Sequence, residues 1–203
     1  MPTKSLHQWL DFISETHPSE IEMGLDRIKA VFSKLPVQQT QAKIVLVAGT
    51  NGKGSTIAMI EACLLALGHS VGVYTSPHIL SYNERVRVNA VDVSDSELIN
   101  AFDTVEFARQ TTALTYFEYG TLAALDILFS KELDVILLEV GLGGRLDAVN
   151  IVEPDLSIIT SVGLDHIDWL GDTVEKIGTE KAGILRYKGL FIAGEYLPDS
   201  VNA

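Results

Sequence analysis

Four short apolar runs constrain this chain more than any other feature. They are Ile44-Val45-Leu46-Val47-Ala48, Val135-Ile136-Leu137-Leu138-Glu139-Val140, Leu156-Ser157-Ile158-Ile159-Thr160 and Leu190-Phe191-Ile192-Ala193. Runs this short, rich in branched residues and bounded by turn residues, read as strands. A strand without a polar face must be covered on both sides, as in a parallel sheet. Ser70 to Tyr74 reads as a further strand, and Arg85-Val86-Arg87-Val88 alternates as an edge strand would. Helical spacing fills the gaps between strands. Ser55 to Leu67 is ended by Gly68, and Ser94 with Glu97 forms a capping box opening a helix to about Gln110. Glu118 to Phe129 and Thr173 to Lys181 are the other expected helices. The alternation predicts an α/β fold with a mainly parallel sheet and helices on both faces.

The 203 residues suit one domain, with residues 1–41 as a helical N-terminal segment. Leu6, Trp9, Leu10 and Ile13 fall at helical spacing, as do Leu25, Ile28, Ala30, Val31 and Phe32, with Pro18 and Gly24 in the link. Gln38 to Gln41 is a surface loop. Cys63 lies in the apolar run Met59 to Leu65 and is expected to be a buried helix residue. As the only cysteine it cannot form an internal disulfide. A net charge of −12 argues against a nucleic-acid surface. The N-terminus lacks a signal-peptide core, and no apolar run reaches membrane-spanning length, so a cytoplasmic protein is expected.

Ligands of such sheets bind beyond the C-terminal strand ends. Gly49-Thr50-Asn51-Gly52-Lys53-Gly54-Ser55-Thr56 lies at one of them, between a strand and a helix. Backbone N–H groups there attract phosphate, and Lys53 adds charge aimed at the β- and γ-phosphates. The match to a phosphate loop departs from the usual pattern at two places. Val47 stands where a glycine is usual, and Gly54 follows Lys53 where a magnesium-binding hydroxyl is usual. At the end of another apolar run, Glu139 is a carboxylate that burial would penalise unless it is paired or metal-bound. Thr115-Tyr116-Phe117-Glu118-Tyr119-Gly120-Thr121 opens a helix. Its rings and Glu118 read equally as a flat-ring binding site or as core aromatics with a first-turn acid.

Gly-Thr-Asn-Gly-Lys-Gly-Ser resembles the phosphate loop of the Mur ligase superfamily, and more narrowly that of its folylpolyglutamate synthase and dihydrofolate synthase branch. The resemblance extends from about Leu6 to Pro198. It implies a P-loop NTPase-like Mur ligase central domain, with ATP held by Thr50, Asn51, Gly52, Lys53, Gly54 and Ser55. It implies magnesium at Ser76, Glu139 and His166, and a second magnesium at a carbamylated Lys181. Lys53, Lys181 and His166 are the implied catalytic residues. A pterin substrate would meet Glu22, Met23 and Gly24, Thr115, Tyr116, Phe117 and Glu118, and Leu146, Asp147 and Ala148. Gly141, Gly143 and Gly144 would free their loop to wrap a ligand. The implied reaction joins L-glutamate to dihydropteroate or folate through an acyl phosphate, in a monomer.

Family members carry a second, C-terminal glutamate-ligase domain, for which no segment is apparent before Ala203. The chain alone is therefore expected to bind nucleotide weakly and turn over poorly. Three rivals stand beside this reading: another Mur-type ligase, a regulatory phosphate-loop NTPase, and an inactive nucleotide-binding fragment.

Overall fold

The structure is a computed structural model, and it describes residues 4–16, 22–194 and 197–202. Two helices, α1 (Leu6–Glu15) and α2 (Asp26–Phe32), precede β1 (Lys43–Ala48) and α3 (Lys53–Ala66). Next come β2 (Val71–Tyr74), β3 (Val86–Val88), β4 (Val91–Asp92), α4 (Asp95–Arg109), α5 (Tyr116–Phe129) and β5 (Val135–Glu139). The chain continues through β6 (Leu156–Ile159), α6 (Ile167–Leu170), α7 (Val174–Ala182), β7 (Leu190–Ala193) and α8 (Asp199–Asn202). The Pro18 link falls outside the described residues.

One seven-stranded sheet forms in the order β4-β3-β2-β5-β1-β6-β7. β2, β5, β1, β6 and β7 are parallel, while β3 and β4 are antiparallel additions. Alternate side chains of the central strands enter different cores. Leu46, Ala48, Ile136 and Leu138 join the core built with α1, α2, α4 and α5, whereas Val45, Val47 and Leu137 pack with Ile57 of α3. Helices thus cover both faces, which is why these strands show no polar alternation.

Cys63 is exposed, contrary to the expectation from its apolar run. α3 buries only the stripe of Ile57 and Glu61, with Ile60 and Leu64 beside it. Cys63 falls two residues after Glu61, on the outward side of the 3.6-residue period. Glu61 is a polar member of the buried stripe because it meets Arg87 of β3 at 2.8 Å.

Several boundaries also differ from the sequence reading. α3 begins at Lys53, because left-handed Gly52 completes the turn. α5 begins at Tyr116, because Thr115 caps it. Arg85 closes a 3₁₀ turn, Tyr82–Arg85, and β4 outside β3 forms the sheet edge. The two-residue β4 and the one-turn helices α6 and α8 are too short to leave a periodic signal. No helix among the described residues is long and apolar enough to cross a membrane.

The N-terminal segment is part of this core. Trp9 is 1% exposed and packs against Phe12, Phe102 and Tyr119. Trp9→Ala is expected to destabilise the fold by about 3–5 kcal/mol, read as a lower midpoint in chemical denaturation.

Candidate active site

The site assembles where β1, β2, β5 and β6 end. β1 leads into the glycine-rich loop, which is fixed from the β6 side. The Thr50 and Asn51 amides donate to the Ser161 carbonyl oxygen and Oγ at 2.9 and 3.0 Å. Thr160 Oγ1 donates to the Asn51 carbonyl at 2.6 Å. Gly49 is required by this contact: a Cβ there would lie 1.9 Å from Thr160 Oγ1, at a φ of +155°. The Thr50 and Asn51 amides are therefore engaged within the protein, although both residues were expected to bind ATP. The first-turn N–H groups of α3 at Lys53, Gly54 and Ser55 have no intrahelical acceptor, and they face the end where anions are favoured. Lys53 Nζ rests on the Gly49 carbonyl oxygen at 3.0 Å.

β5 delivers Glu139, which is buried. Its Oε2 accepts from the Ser76 amide at 3.1 Å, which brings two of the expected metal donors together. Burial raises the Glu139 pKa, while the Ser76 N–H and the Lys53 and Arg87 charges pull it back. Gly54 lies beside this carboxylate: a Cβ there would make ordinary contact with Oε1 at 3.9 Å. His166 stands half exposed in a left-handed conformation, φ 48°, with Nε2 3.7 Å from Asp165 Oδ2. A non-glycine residue held at positive φ marks a place where the surroundings over-determine the backbone.

Among the described residues, no three His, Cys, Asp or Glu side chains group so as to hold a metal. Ser76 and Glu139 instead supply an incomplete set of hard oxygen donors. That suits magnesium, which keeps several waters and phosphate oxygens as ligands.

Lys181 is buried. Burial, and then the charge of Lys53, lower its pKa to about 8, against the pull of Asp165 and Asp147. Asp147 accepts from the Leu142 and Val149 amides at 2.7 and 3.0 Å. Burial nevertheless pushes its pKa up to about 6.

These groups border one cavity of about 930 Å³. Its wall includes Lys53, Ser76 and His166 together with every residue expected to meet a pterin: Glu22, Met23, Gly24, Thr115, Tyr116, Phe117, Glu118, Leu146, Asp147 and Ala148. Glu139 and Lys181 lie behind the wall rather than in it. Sequence reasoning missed Pro77, Arg85 and Leu142, which also line it. Arg85 was read only as a polar position of an alternating strand.

Two groups of expected ligand residues also hold the protein together. Glu118 has internal partners, yet it lines the cavity with Oε1 accepting no hydrogen bond. It accepts from the Thr115 amide at 2.8 Å in a capping box and pairs with Arg27 Nε at 2.8 Å. Arg27 also pairs with Glu22, which ties the 22–24 segment to α5. The glycines of the 141–144 loop also serve packing, while Gly141 borders the cavity. A Cβ on Gly141 would strike Phe117 at 2.7 Å, and one on Gly144 would strike the Glu180 carbonyl oxygen at 2.8 Å.

Residues 47–192 match the Mur ligase middle domain, and the chain belongs to that family. Within it, the chain is 48% identical over 190 residues to the dihydrofolate synthase/folylpolyglutamate synthase of Escherichia coli. That match covers 94% of this chain and 45% of that protein. The enzyme of the same name from Haemophilus influenzae is 48% identical over 193 residues, covering 95% and 44%. A structure of E. coli FolC in complex with DHPP and ADP matches with a TM-score of 0.95 at 46% identity, over 98% of this chain and 48% of that one. A bifunctional folylpolyglutamate synthase/dihydrofolate synthase with Mn, AMPPNP and L-glutamate bound matches with a TM-score of 0.92 at 47% identity, over 98% and 49%. The chain thus spans about half the length of these relatives.

Two measurements check the geometry. Gly49→Ala is expected to abolish nucleotide binding in a titration, because the loop cannot keep its contact with Thr160. Asp147 carries a pH signature. Its folded pKa exceeds its unfolded one, so its contribution to stability is full below about pH 4 and is lost as pH rises through 6. The loss is on the order of 2–3 kcal/mol. The difference in melting temperature between the wild type and Asp147→Asn should therefore shift against the wild type between pH 4 and 6.5.

Proposed function

We propose that this chain is the ATP-binding part of a ligase that adds L-glutamate to 7,8-dihydropteroate, and to reduced folates, through an acyl phosphate. One observation carries the reading. The nucleotide loop and the aromatic segment expected to hold a pterin open onto the same cavity. The names and bound molecules of the relatives point the same way.

The α3 N-terminus and Lys53 would hold the ATP phosphates. Tyr116 and Phe117, with the 146–148 segment, would hold the pterin. A carboxylate oxygen of the acceptor attacks the γ-phosphorus, an O–P bond forms, and ADP leaves with the electrons of the broken bond. The glutamate amine then attacks the acyl carbon, phosphate leaves with the electrons of the C–O bond, and the nitrogen gives up a proton to solvent or to the departing phosphate. Magnesium held by Ser76, Glu139 and His166 would offset charge on the transferring phosphoryl group.

We also place a carbamate on Lys181. A lysine with a pKa of about 8 is roughly a tenth neutral at pH 7, far more than an ordinary lysine, and the neutral amine is the form that adds carbon dioxide. The carbamate would supply oxygen donors to a second magnesium. Intact-protein mass spectrometry in bicarbonate should find that added mass, and Lys181→Arg should lack it.

The glutamate site is assigned to the part of the relatives that lies outside this chain, so the chain alone should turn over poorly. Action as a cytoplasmic monomer without nucleic acid fits the substrates and the net charge of −12.

Calorimetric titration tests the reading. Lys53→Met should weaken magnesium–ATP binding at least tenfold and spare dihydropteroate. Tyr116→Ala should weaken dihydropteroate by about 3–10-fold and spare the nucleotide. A wild-type chain that binds neither the acid nor its simple analogues would sink the pterin assignment.

A further inference from the structure

Arg85 is the last residue of the 3₁₀ turn before β3, and it is 8% exposed. Each of the other arginines has a carboxylate partner: Arg27 with Glu118 and Glu22, Arg87 with Glu61, Arg109 with Glu106, Arg145 with Glu180, and Arg186 with Glu153. Arg85 has none among the described residues. Its neighbours are neutral. Nε donates to His78 Nδ1 at 2.9 Å. The guanidinium lies 5.1 Å from the ring centre of Tyr82 and 5.6 Å from that of Tyr116.

A buried guanidinium without an anion is costly. Aromatic faces recover part of that cost. The hydrogen bonds to His78 and to the Tyr74 hydroxyl recover more, but none of these partners is an anion, and Arg85 lines the cavity through which one would arrive.

We propose that Arg85 holds the reacting carboxylate of the acceptor, the group that becomes the acyl phosphate. The assignment rests on the ligase reading above. The ATP phosphates already have Lys53, which lines the same cavity, and the α3 N-terminus. Arg85 instead touches Tyr116 of the aromatic segment and His78 of the loop that carries Ser76. It therefore stands between the ring-binding end and the phosphate end. A planar guanidinium also matches a planar carboxylate with two parallel hydrogen bonds. Pairing there lowers the repulsion between two anions that must meet. As the O–P bond forms and ADP departs, the carboxylate charge passes to the phosphoryl oxygens, and Arg85 is left beside an uncharged acyl carbonyl. No proton moves in this step.

The test compares dihydropteroate with its primary carboxamide, which has the same ring and shape but no charge. Both are titrated by calorimetry into the 203-residue chain, into Arg85→Met and into Arg85→Lys. The wild type is expected to prefer the acid by roughly 10- to 100-fold. Arg85→Met should abolish that preference while binding the amide as the wild type does. Arg85→Lys, which keeps the charge without the fork, should keep part of it. An undiminished acid preference in Arg85→Met, or an equal loss of both ligands, overturns the assignment and leaves the pterin reading standing. A wild type that binds neither ligand overturns both. If Arg85→Met melts below the assay temperature, Arg85→Lys decides alone: a reduced acid preference supports the role and an unchanged one overturns it.

Discussion

Charge at the ends of apolar strands is the constraint on which this site depends. Glu139, Asp147 and Lys181 are all buried, and Lys53 acts electrostatically on each of the three. A group of this kind taken alone would be driven toward its neutral form. Glu139 and Asp147 are drawn in that direction, and so is Lys181. Each is held part of the way back by an opposite charge or by backbone N–H groups. The set is a compromise that a polyanion with its metal would complete.

The sheet makes this compromise structurally affordable. Parallel β1, β2, β5 and β6 end on the same side, so their following loops converge without long connections. Loop-to-loop contacts then fix the details. Thr160 and Ser161 clamp the glycine-rich loop, the 141–144 loop lies against α7, and Arg27 ties the 22–24 segment to α5.

Much of this was legible in the sequence. Apolar runs gave the strands, because burial on both faces leaves a continuous signal. The capping box at Ser94 is a local pattern with a three-residue spacing, and it formed, whereas the one at Thr115 has the same spacing and was not read. The loops bearing Lys53, Ser76 and His166 do border one cavity. What was not legible depends on long-range partners. Nothing near Glu118 announces that Arg27, 91 residues earlier, pairs with it. Nothing near Arg85 announces that no acid reaches it. Cys63 was misjudged because hydrophobicity was read along the helix rather than around it. The crowding of the 141–144 glycines against Phe117 and α7 is visible only in three dimensions.

The clamp on the glycine-rich loop has a thermodynamic consequence. Thr50, Asn51 and Gly49 are already immobilised by Thr160, Ser161 and Gly163. A nucleotide arriving there has little chain left to order, so capture costs little entropy at that point. Any entropic penalty of assembling a complex then falls on side chains rather than on this backbone, half-exposed His166 among them. A loop held in this way would set where phosphate sits.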